Sequence, residues 1–142
     1  MRRSGQGDIF FKAIRGIYER EFVTVSEYIY YSLILREEYP YIADLFDLLA
    51  ISEIDLLAAI GDIMQSEGWD TSIDIRVRRG QRGESERLEN IIKFEIKEIK
   101  ESIRSCERLL SSASNTRHRA GISKALEIKA EALEHLDRVM RS

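Results

Sequence analysis

Apolar residues recur along most of this chain every three or four positions, the spacing of a helix that buries one face. In residues 8–37 the stripe is Phe10, Ile14, Ile17, Tyr18, Val25, Tyr28 and Leu35. In residues 40–66 it is Ile42, Leu45, Leu49, Leu56, Ile60 and Ile63. A third run, residues 84–112, carries Leu88, Ile92, Ile96, Ile99, Ile103, Cys106 and Leu110. A fourth, residues 116–140, carries Ile122, Leu126, Leu133, Leu136 and Met140. The pattern predicts four long amphipathic helices and an all-α fold. "EEYP" closes the first helix, and Pro40 suits the first turn of the second, where a backbone N–H has no helical partner. Gly68 is a stop signal for the second helix, and "SSASNT" separates the third from the fourth.

The segment between the second and third helices, residues 67–83, reads differently. In "WDTSIDIRVRRGQRG" the residues Ile73, Ile75 and Val77 alternate, which predicts an extended segment or a short strand. The other two connections are short. The chain therefore reads as two helical hairpins joined by one long connection. Extended, that connection reaches roughly 50 Å, enough to run the length of helices roughly 35–45 Å long.

Against this apolar background a few charged residues fall on the inward faces. At about 100° per residue, Glu21 lies between Ile17, Tyr18 and Val25, and Glu53 lies centrally on the second stripe. Glu95 sits at the edge of the third stripe and Lys129 in the middle of the fourth, whereas Glu19, Glu27, Glu98, Glu101 and Glu127 point elsewhere. Heights can be compared by counting from the turns. Glu21 and Glu53 are equidistant from residue 37, and the residue level with Glu95 across the second hairpin is Lys129. Four charges, one per helix, are thus expected at one level of the core. Buried carboxylates repel and raise one another's pKa, and a buried charge needs a partner or a metal. Metal ions, protons or the Lys129 ammonium can neutralise them. In the bland alternative, Glu95 or Lys129 reaches solvent along its own stem.

Composition narrows the class. The chain has 142 residues, 44% apolar and 33% charged, with a net charge of −3, which suits one domain with one core and no strong pull toward nucleic acid. Cys106 is the single cysteine, so neither an intrachain disulfide nor a multi-cysteine metal site is available, and a cytoplasmic location is expected. No run approaches the roughly 18 apolar residues of a membrane span. "MRRSGQGDIFFKAI" has two arginines but no cleavage signature, so neither secretion nor a membrane is expected.

The layout resembles the ferritin-like superfamily, in particular its small rubrerythrin-type bundles. The likeness is best over residues 14–68, with Glu21, "EYIYY" and "EEYPYIADLFDLLAISE"; residues 86–140 match only in helix length and period. The resemblance implies a four-helix bundle with a single crossover. It also implies a di-metal site built from one Glu on each of two helices and Glu-x-x-His on each of the other two, holding Fe or Mn. This sequence departs from that motif. Leu56 stands where His should follow Glu53, Lys129 stands for a Glu, and Ala132 stands for the second His. His118 lies near the last turn and His135 off the fourth stripe, so neither supplies the missing ligand.

Two functional expectations follow. In the first, the chain is a ferritin-like bundle that has lost its standard di-iron ligands. It serves as a structural or partner-binding module, with Glu21, Glu53, Glu95 and Lys129 as a buried ion-pair cluster and no cofactor. In the second, it is a rubrerythrin-like or ferritin-like oxidoreductase, or an iron- or manganese-binding protein, keeping an atypical site on Glu21, Glu53 and Glu95. Tyr30, Ile34 and Val23 form a second apolar face on the first helix, which predicts a homodimer or larger assembly through that helix. The tyrosines at 28, 30, 31, 39 and 41 fit core plus interface better than radical chemistry. The basic run Arg76 to Gly83 reads as a solvated loop rather than a nucleic-acid contact, and Cys106 as a buried inert thiol.

Overall fold

A computed structural model describes residues 5–73 and 87–142, the side chains from residue 7 onward. It contains four helices: α1 (Gly5–Ile34), α2 (Pro40–Ser66), α3 (Leu88–Ser112) and α4 (Thr116–Arg141). Among the described residues there is no strand, and the architecture is an all-α four-helix bundle. Residues 70–73 are irregular, so Ile73 is not in a strand; Ile75, Val77 and the basic run Arg76 to Gly83 lie outside the described residues. None of the described helices is long and apolar enough to cross a membrane.

The helix ends have local causes. The first helix stops at Ile34, three residues before the expected end, and residues 35–38 form the turn. Pro40 disfavours helical backbone at the residue before it, and Tyr39 is accordingly non-helical at φ −133° and ψ 67° while Pro40 takes the first turn of α2. α2 ends with Gly68 at φ +73°, a left-handed conformation suited to glycine. Gly68 N–H donates to Gln65 O at 3.0 Å and Trp69 N–H to Met64 O at 2.8 Å, the paired bonds of a Schellman cap. The expected start of the third helix at residue 84 lies outside the described residues. Arg87 is extended and occupies the N-cap position of α3 without a side-chain cap bond; α3 begins at Leu88. Asn115 caps α4, its side-chain oxygen accepting from His118 N–H at 3.1 Å.

Buried apolar residues form two clusters, one toward each end of the bundle. One joins the start of α1 (Ile14, Ile17) to the end of α2 (Ile60, Ile63, Met64), the end of α3 (Cys106, Leu109) and the start of α4 (Ile122, Ala125). The other joins the end of α1 (Tyr28, Tyr31) to the start of α2 (Ala43, Phe46, Leu49), the start of α3 (Ile91, Ile92) and the end of α4 (Ala132, Leu136). α1 and α4 therefore run one way, and α2 and α3 the other. α2 and α4 approach closely where Gly121 faces Ile63. A Cβ on Gly121 would lie 2.7 Å from Ile63 Cδ1 and 3.3 Å from the Ala59 carbonyl, so only a hydrogen fits without a shift.

The inward face of α3 differs from the expected stripe. Its centre runs through Ile91, Ile92, Glu95, Ile99, Ser102, Cys106 and Leu109, while Leu88, Ile96, Ile103 and Leu110 are only half-buried. Following the large aliphatics alone rotates the face, because small Ser102 also faces inward. The correction matters for Glu95, which lies at the centre of the face rather than its edge.

Candidate functional site

Between the two apolar clusters lies a polar layer. Glu21, Glu53 and Lys129 are each 1% exposed and Glu95 is 0% exposed, so no charged stem reaches solvent. Lys129 Nζ donates to Glu21 Oε1 and to Glu53 Oε1, both at 2.6 Å. These are short charge-assisted bonds, and they tie α4 to α1 and α2. Ser102 on α3 donates to the other Glu21 oxygen at 2.6 Å, so Glu21 is held from α3 and α4. Glu95 contributes to the same layer electrostatically, its charge acting with those of Glu53 and Glu21 on the Tyr28 hydroxyl.

The environment separates the two carboxyls that Lys129 joins. Burial pushes Glu21 up, but the Lys129 charge, the neighbouring Glu53 carboxyl and the hydrogen bonds from Lys129 and Ser102 outweigh it and hold Glu21 below the usual carboxylate range. Burial also pushes Glu53 up; Lys129 opposes this, the Glu21 charge adds to it, and Glu53 settles at about 8. At neutral pH, then, Glu21 carries the negative charge and Glu53 keeps its proton. Of the ways of neutralising the carboxylates that the sequence left open, a proton on Glu53 and the Lys129 ammonium both act here. The geometry agrees with this split: Glu21 accepts from both Lys129 and Ser102, whereas Glu53 accepts from Lys129 alone and its Oε2 is buried without a hydrogen-bond partner among the described residues. Burial alone would lower Lys129, yet the two facing carboxyls raise it above its ordinary value and keep it an ammonium.

Two further residues belong to the layer that the apolar pattern does not reveal. Ser102 follows Glu95 by seven residues, two helical turns on the same face, and that spacing is a legible signal. Arg20 has no such signal, because it sits at the margin of the α1 stripe. Its Nε lies 3.7 Å from Glu21 Oε2, beyond hydrogen-bonding distance. Tyr28, nearly fully buried beside the acids, is raised well above the usual phenol range by burial and then by the charges of Glu53, Glu95 and Glu21. Burial likewise raises the Cys106 thiol to about 11, which disfavours the reactive thiolate.

The remaining sequence candidates fall elsewhere. Leu56 and Ala132, at the positions where the motif calls for histidine, are buried in the apolar clusters. His118 stacks on Phe10 with ring centroids 4.7 Å apart and meets Glu67 Oε2 at 2.9 Å, near one end of the bundle; His135 is exposed. Among the described residues, no group of three or more His, Cys, Asp and Glu is arranged to hold a metal ion. The donor set present does not fit a di-metal centre. Lys129 Nζ sits between Glu21 and Glu53, where a cation bridging them would sit, and neither motif position carries an imidazole. No protein-family model, curated protein or solved structure matches the chain.

Proposed function

We propose that this chain is a ferritin-like bundle in which the Lys129 ammonium replaces the charge of a lost di-metal centre, and that it serves as a structural or partner-binding module rather than an oxidoreductase. The observation that carries this reading is the pair of 2.6 Å bonds from buried Lys129 to Glu21 and Glu53. A single-crossover topology is supported by the two core clusters: α2 ends in the one where α1 begins, and α3 begins in the other. The first residues after α2 already turn back along α1, where Arg15 donates to the carbonyls of Asp70 and Ser72. The single, buried cysteine suits the cytoplasm. Elemental analysis tests the reading. Protein produced with iron and manganese supplied, then gel-filtered, is expected to retain well under one equivalent of either. Near-stoichiometric metal would instead support the rival, an iron- or manganese-binding protein or oxidoreductase on Glu21, Glu53 and Glu95.

The partner of the first hairpin, in this proposal, is a second copy of the chain. Every large hydrophobic side chain found exposed belongs to α1, α2 or their turn, including Tyr30, Leu33, Ile34, Leu48 and Ile51, and none to α3 or α4. Clustered exposure of this kind marks an interface, and two-fold pairing is the commonest closed solution. Sedimentation equilibrium is expected to give twice the chain mass. The double variant Tyr30→Glu/Leu33→Glu is expected to give the single-chain mass with unchanged helical content. A wild-type monomer at high concentration would remove the dimer.

A further inference from the structure

α1 and α3 leave a cleft of about 410 Å³ between the first half of α1 and the second half of α3. Its volume falls within the range of small-molecule sites. The cleft exists because its walls are small: Ala13 and Gly16 on α1, Ser105 on α3. A Cβ built on Gly16 meets nothing within 4 Å, so the space beside it is open. The buried residues Ile17 and Leu109 form an apolar floor, and Ile9, 69% exposed, lies on the cleft wall.

The charge of the cleft is opposite to that of the whole. The chain carries a net −3, yet the lining includes Lys12, Arg20 and Arg108 and no acidic residue. Arg20, whose side chain is 33% exposed, lines the cleft while forming an ion pair with Glu21. Glu21 Oε2 already accepts from Ser102 at 2.6 Å and stands 3.7 Å from Arg20 Nε. Arg20 Nε and Nη2 are buried atoms with no hydrogen-bond acceptor among the described residues. Buried donors of an always-charged guanidinium call for an acceptor. An anionic oxygen in the cleft supplies it at a site with two more cations.

We propose that this cleft binds a small organic anion, with a carboxylate or phosphate head on Arg20, flanked by Lys12 and Arg108, and a short apolar tail along Ile17, Leu109 and Ile9. The inference does not rest on Lys129 replacing a metal, and metal content does not bear on it. Calorimetric titration of the full chain at low salt with sodium octanoate and with octyl phosphate tests it and separates the two head groups. One site per chain, tighter than about 1 mM, is expected for at least one of them, with no binding of octylammonium. Arg20→Gln is expected to weaken binding at least about tenfold through a lost charge-assisted bond. Because Arg20 adjoins the buried layer, Gly16→Leu and Arg108→Gln serve as independent variants. Gly16→Leu fills the cleft without touching the core, and is expected to abolish binding while leaving the melting temperature unchanged or higher. Absence of saturable binding by either anion, equal binding of octylammonium, or undiminished binding in Gly16→Leu would each overturn the proposal. Inorganic phosphate binding as tightly as octyl phosphate would remove its apolar half.

Discussion

Lys129→Met is expected to lower the unfolding free energy by about 3–5 kcal/mol at pH 7, the usual result of removing one partner of a buried ion pair. Methionine nearly matches lysine in length, so the loss is electrostatic rather than a cavity. Glu21 would keep Ser102 as a donor but lose the ammonium that holds its carboxyl low. Three groups set the pH dependence. Glu21 has a lowered folded pKa, so its stabilisation is present above the unfolded value of about 4.3 and is lost as pH falls through the folded one. Lys129 has a raised folded pKa, so its contribution is complete below about 10.4 and is lost only as pH rises through the folded value. The pair thus stabilises fully between roughly pH 5 and 10. Glu53 acts oppositely. Its folded value of about 8 means that the native state holds a proton the unfolded chain releases, so its contribution declines as pH rises from the unfolded value toward 8. Urea denaturation at pH 7 and pH 4 reads the difference. The gap between wild type and Lys129→Met should be largest at pH 7 and shrink in acid, where the orphaned Glu21 of the variant takes up a proton and its buried charge is relieved. A gap of the same size at both pH values would show that Lys129 is not neutralising Glu21. Glu21→Gln/Lys129→Met is expected to recover part of the loss, since it removes the orphaned charge.

The second large effect is a gain. On the proposed reading, Leu56→His, Lys129→Glu and Ala132→His together are expected to raise Mn²⁺ or Fe²⁺ affinity by at least roughly a hundredfold over wild type. Each histidine position lies three residues after a polar residue of the buried layer, which places the pairs on one helix face. The variant exchanges an ammonium for a third inward carboxylate beside Glu21 and Glu53, so without metal it should be less stable than wild type. Metal binding to the folded state should then raise its melting temperature strongly. Mn²⁺ titration followed by calorimetry, and thermal melts with and without Mn²⁺, measure both halves. A variant that folds yet gains no metal affinity would mean that the polar layer does not occupy the position of a former metal site.

Much of this was legible because a helix converts sequence number into angle and height. The three-and-four spacing of aliphatics marks four helices, Pro40 and Gly68 mark two of their ends, and counting from the turns puts Glu21, Glu53 and Lys129 level. Where the reading erred, packing outweighed pattern. α1 ended at Ile34, because residues 35–38 turn the chain ahead of Tyr39 and Pro40. Ser102, small and polar, faces inward and rotated the buried face of α3, bringing Glu95 from its expected edge to the centre.

Helical period and turn counting, by themselves, determined the helices, their pairing into hairpins and the one level at which charge enters the core. Those quantities depend only on each residue's place along its own helix. The tertiary structure alone decided that Lys129 bonds Glu21 and Glu53, that Ser102 holds the remaining Glu21 oxygen and that Glu53 keeps a proton toward pH 8. It alone opened a cation-lined cleft where Ala13, Gly16 and Ser105 leave α1 and α3 apart. Protonation and cleft volume depend on separations of a few ångströms between helices distant in sequence, and no period within a single helix encodes them.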